Sequence, residues 1–132
     1  MMESAEIPGV GTPAAGTDAP AREAKNPVFS AGLSLLFPGL GQVYNGETVK
    51  GLLVLFGVFA GLLVMLIPGV AAWLFGIYDA WVTARRMNAG TVPFREVRLA
   101  MVILFMVAWM AGVLAFLALL ALAAFAALTT AM

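Results

Sequence analysis

Polar residues are scarce along this chain and come in clumps, which cut a greasy sequence into four apolar segments. They run from about Pro27 to Val43, Lys50 to Ile67, Gly69 to Arg86, and Val97 to Leu128. Asn26 suits a helix cap and Pro27 a first helical position. Pro38-Gly39 interrupts the first segment after about eleven residues. That is about 17 Å of helix, too short for a hydrocarbon core of about 30 Å. The second and third segments reach the lower limit for spanning, roughly 17 residues. Pro68-Gly69 is the turn signal between them, and so tight a link makes an antiparallel hairpin. The fourth segment is long enough to cross with tilt or an overhanging end.

The pattern predicts an all-α integral membrane protein. A helical hairpin is preceded by a broken N-terminal helix and followed by one additional C-terminal transmembrane helix. The organisation is a tail over residues 1–25, a membrane domain over 26–90, and a loop plus helix over 91–132. Ala, Pro, Gly and Thr dominate the tail. It has too little to bury and is expected to be a disordered linker.

Composition sharpens this. Apolar residues make up 63% of the 132, against roughly 45–50% in soluble domains. Mean hydropathy is +1.02. So short a chain has no room for a soluble catalytic domain beside its spans. It has no cysteine and no histidine. Disulfide and thiolate chemistry are therefore absent, as are the commonest metal ligand and the commonest general base. The expectation is no enzyme, no cofactor, no metal and no nucleic-acid partner.

Net charge is zero but unevenly spread. Arg85, Arg86, Arg95 and Arg98 cluster in one loop with only Glu96 against them, the mark of a cytoplasmic connection. If the first segment re-enters and the other three span, all seven basic residues share one side. If it spans as well, Arg22 and Lys25 move to the opposite side. The first arrangement obeys the positive-inside bias better, and both put the C-terminus outside the cell membrane. The four arginines are also candidates for anionic lipid headgroups, although Arg85 and Arg86 simply suit a helix C-terminus.

Two polar features interrupt the hydrocarbon. Pro38, Gly39, Gly41, Gln42, Tyr44, Asn45 and Gly46 form one word, followed by Lys50 and Gly51. Its plain reading is a turn at the membrane surface. Its sharper reading is a ligand site on broken-helix ends, which would want a second broken segment. Asp79 is the only acidic residue inside an apolar segment. Such a carboxylate is costly unless paired. Gln42, Tyr44, Asn45 and Lys50 are the donors expected to hold it in a structural clamp. The alternative is a small transporter or channel component, with Asp79 lining a polar cavity. An intramembrane aspartyl protease needs two facing carboxylates, and only one exists here. Gly57 and Gly61 form a close-packing pattern, and Ala108, Ala111, Gly112, Ala115 and Ala118 make a second small-residue stripe.

The stretch from Lys25 to about Gly90 resembles the TM-two domain family and its prokaryotic relatives. Phe37-Pro38-Gly39-Leu40-Gly41-Gln42, Tyr44-Asn45-Gly46, Lys50-Gly51 and Trp73 followed by Asp79 carry the resemblance. It implies a two-helix membrane hairpin whose recurring positions are Gly39, Gly41, Tyr44, Gly46, Gly51, Trp73 and Asp79. Many members carry His-Arg-Phe-Tyr-Leu-Gly at the turn where this chain has Gln42-Val43-Tyr44-Asn45-Gly46, so any role of that His-Arg pair does not transfer. The family has no generally established reaction. The role implied is a non-enzymatic interaction or accessory protein, with the lipid bilayer and a membrane-protein partner or second copy as partners.

Overall fold

The computed structural model describes residues 23–132. The disorder expected of the tail falls almost wholly outside the described residues.

Five helices follow one another: α1 (Pro27–Leu36), α2 (Leu40–Tyr44), α3 (Thr48–Val64), α4 (Leu66–Asn88) and α5 (Leu99–Thr130). The Asn26 side chain accepts the Phe29 N–H at 3.0 Å and so caps α1. Pro38 has no N–H to continue the helix, and α1 stops at Leu36. Gly39 then takes φ +93°, a conformation open to glycine without strain, and turns the chain back as α2. The return is tight enough for the Lys25 Nζ to donate to the Tyr44 carbonyl at 2.8 Å. The first segment therefore doubles back: Lys25 and Tyr44 lie at the same end of the molecule.

The hairpin of α3 and α4 turns on one extended residue, Met65 (φ −158°, ψ 150°). This corrects the turn expected at Pro68-Gly69, which lies inside the first turn of α4. A first-turn residue has no use for its N–H, so proline is at home there. Gly69 instead serves packing. A Cβ added to Gly61 would sit 2.6 Å from the Gly69 nitrogen, whereas one at Gly57 would meet only Ala72 Cβ at 3.9 Å. The close-packing pattern thus works within the hairpin.

Moving the turn to Met65 shortens α3 to 17 residues, about 25 Å. Two helices, α4 and α5, are long and apolar enough to cross a membrane. The three spans expected are thus two long helices with α3 packed along α4.

α5 docks on α2 and α3 through Phe105, which is fully buried among Leu40, Val43 and Leu55. Trp109 meets Phe37 edge to face at 5.0 Å. Gly112 lies under the Phe59 ring, and Ala108 borders this core, whereas Ala111 and Ala115 are exposed. Only 6% of the most apolar window of α5 is buried, and 22% of that of α4. An exterior this apolar is far beyond what water-soluble proteins expose and matches lipid as its surroundings. The fold is that of a small, multi-pass membrane protein.

Candidate functional site

A buried polar cluster ties the doubled-back α1–α2 unit to the hairpin. Ser30, Ser34, Gln42 and Asn45 are all completely buried, although the chain around them is hydrocarbon. Ser30 and Ser34 lie one helical turn apart on α1, on one face. Ser34 Oγ accepts the Gly41 N–H at 3.1 Å and donates to Gln42 Oε1 at 3.1 Å. Gln42 Nε2 donates to the Gly76 carbonyl at 2.7 Å and to Asp79 Oδ2 at 3.3 Å. Ser30 Oγ lies 3.2 Å from the carbonyls of both Gly41 and Ala80, and Asn45 Nδ2 donates to Ala80 at 2.8 Å. Asn45 Oδ1 is buried without a partner among the described residues.

Asp79 closes the cluster. Its Oδ2 lies 2.8 Å from Lys50 Nζ, which also reaches Glu47 at 3.3 Å. The Asp79 side chain is 17% exposed, so it is largely removed from solvent and held by a direct cation. Such charge-assisted contacts are each worth roughly 1.5–3 kcal/mol. Of the donors expected at Asp79, Gln42 and Lys50 reach it. Asn45 bonds to Ala80 instead, and the Tyr44 hydroxyl accepts the Asn26 N–H at 3.3 Å.

Backbone proximity makes this possible. A Cβ on Gly41 would lie 2.8 Å from Ala80 Cβ and overlap Ser30 and Ser34. A Cβ on Gly51 would lie 2.6 Å from the Gly39 carbonyl. Trp73 donates its indole N–H to the Ser34 carbonyl at 2.9 Å.

A second set of contacts latches the chain entry. Lys25, last residue of the tail in sequence, is only 6% exposed. Its backbone N–H donates to Asn88 Oδ1 at 2.8 Å, and Asn88 Nδ2 donates to its carbonyl at 2.6 Å. The ammonium lies over the rings of Tyr44 and Phe94. Burial pushes the Lys25 pKa below the ordinary lysine value, and the Glu96 charge opposes that. Sequence reasoning missed Lys25, Ser30 and Ser34 as members of the site. The one-turn spacing of Ser30 and Ser34 was a readable signal, but nothing local marks Lys25.

The arginines separate into two groups. Arg85 stacks its guanidinium over Trp81 at 4.7 Å, and Arg86 is exposed beside it. Arg95 packs on the Gly46 turn, and Arg98 occupies the position just before α5 without a side-chain capping bond. Among the described residues no three His, Cys, Asp or Glu side chains gather as metal ligands.

No family model matches the chain. A 57-residue stretch is 37% identical to an uncharacterized protein of the archaeon Methanocaldococcus jannaschii, covering 43% of this chain and 48% of that protein. The chain thus spans about half the length of that curated relative. No solved structure matches.

Proposed function

We propose that the chain is a non-enzymatic accessory or interaction protein of the membrane, built on a TM-two-like hairpin. The observation that carries this is the occupied state of Asp79. Lys50 at 2.8 Å and Gln42 at 3.3 Å take up its carboxylate, and their other bonds join α1, α2, α3 and α4. A clamp of this kind spends an intramembrane charge on shape. Its location at the end where Lys25, the Gly46 turn and the arginine loop meet supports a cytoplasmic placement of that end. The small-residue packing and lipid-facing exterior suit a partner helix or a second copy.

The test is a pair of substitutions in the purified full-length protein. Asp79→Asn keeps an oxygen for Lys50 and Gln42, so folding should suffer little. Asp79→Leu removes the acceptor shared by Lys50 and Gln42 and should lower the thermal midpoint. Transport across vesicles that vanishes in Asp79→Asn while folding stays intact would replace this reading with proton-coupled transport through Asp79.

A further inference from the structure

An open groove of about 840 Å³ lies between the Gly46–Lys50 turn and the start of α5. Its rim carries Lys50, Arg95 and Arg98 beside Glu47 and Glu96, and Val43, Leu53 and Met101 line its apolar part. Glu47 bonds Lys50, and Glu96 shares a neighbouring cavity with Lys25. Arg95 and Arg98 make no ion pair among the described residues. In the lining of the groove itself three cations face two carboxylates, which leaves one net positive charge there; the neighbouring Lys25 is balanced by Glu23. The first N–H groups of α3, uncapped by any side chain, add to the same polarity.

On the same pair of helices, farther from the charged end, a second cavity of about 390 Å³ is lined by Leu55, Phe56, Phe59, Ala108, Gly112 and Ala115. Phe56 follows Leu53 by one turn on α3. A cationic mouth and an apolar cavity thus follow one another along the α3–α5 seam. That is the polarity of one amphiphile, with an anionic head and a hydrocarbon tail.

We propose that this seam binds a single phospholipid carrying one net negative charge, with its phosphodiester at Arg95 and Arg98 and an acyl chain against Ala108, Gly112 and Ala115. The site shares Lys50 with the Asp79 clamp, but its anion contacts are Arg95 and Arg98. It rests on the proposed membrane setting only in placing the charged end at a headgroup layer, and the Asp79 variants test that reading separately.

The experiment places the full-length protein in nanodiscs of phosphatidylcholine with a minor fraction of phosphatidylglycerol and counts retained lipid by native mass spectrometry. One phosphatidylglycerol should stay bound after the disc is stripped. Arg95→Ala/Arg98→Ala should lower its retention about thirtyfold, given the usual contribution of each basic residue near a membrane surface. Arg95→Lys/Arg98→Lys, which keeps the charge, should hold it. Arg85→Ala/Arg86→Ala removes equal charge outside the groove and should change nothing. Ala115→Phe should weaken retention of the diacyl lipid by filling the apolar cavity. Equal retention of both lipids, or equal losses from both arginine pairs, overturns the site. Competition by soluble glycerophosphoglycerol as strong as by the lipid would make it an anion site without an acyl cavity, and so overturn the proposal too.

Discussion

The Trp73 indole N–H bonds to the Ser34 carbonyl, the carbonyl that the missing N–H of Pro38 would otherwise have satisfied. Proline breaks α1 by withholding one donor four residues downstream, and a tryptophan from α4 supplies it. The break and its repair thus belong to one design, which explains why an indole projects into this seam.

Trp73→Phe should therefore destabilise the fold by about 1–3 kcal/mol, the cost of an unsatisfied buried carbonyl. Thermal unfolding in detergent reads this directly. The ring is kept, so a loss much smaller than that would mean Ser34 finds another donor.

Two glycines should respond in opposite directions. Gly39 has positive φ, and a Cβ there would collide with the Gly51 carbonyl. Gly39→Ala should cost more than about 2 kcal/mol from the backbone conformation and the overlap together. Gly32 lies inside α1 with nothing within 4 Å of an added Cβ. Gly32→Ala should gain about 0.5–1 kcal/mol. Comparison of the two thermal midpoints checks both.

The chain lacks cysteine, so single introduced thiols report topology cleanly. Ala24→Cys and Thr91→Cys should react with a membrane-impermeant maleimide from the same side, as re-entry of the first segment requires. Met65→Cys should resist the reagent from both sides. Labelling of the first two from opposite sides would refute the shared end.

The buried Lys25 gives a pH dependence. Its folded pKa lies below the ordinary 10.5, so the unfolded chain binds the proton more tightly. Stability carries a penalty at neutral pH that is relieved as the pH climbs toward 10.5. Lys25→Met should flatten that rise in a pH series of thermal midpoints. An unchanged slope would show that the rise comes from elsewhere.

Much of this is legible in the amino-acid sequence. Pro38-Gly39 has no reading except as a break, because both the lost donor and the glycine act locally. Asp79 had to find a cation, and Lys50 was at the right depth. The turn at Met65 was not legible, because Pro68 serves equally well as a turn residue or as a first-turn helical residue. Only the Gly61–Gly69 approach decides between them. The Lys25–Asn88 latch was hidden for another reason: it joins residues 63 positions apart, and no periodicity marks such a pair. Tyr44 and Asn45 share one end with Asp79 and so suit it as donors by position, yet side-chain direction sends them to Asn26 and Ala80.

The unequal helices have a consequence for the lipid around them. α3 ends after about 25 Å while the 32 residues of α5 extend for about 48 Å, and the bend at Met65 is surrounded by exposed Val64, Leu66 and Ile67. A hydrocarbon layer of about 30 Å overshoots the first and falls short of the second. The 23 residues of α4, about 35 Å, carry the Met65 bend to the distal surface, so it is α5 that must lean until its length is accommodated. Changing the acyl length of the host bilayer then changes the lean of one helix against a fixed neighbour, so the molecule registers membrane thickness in its own shape.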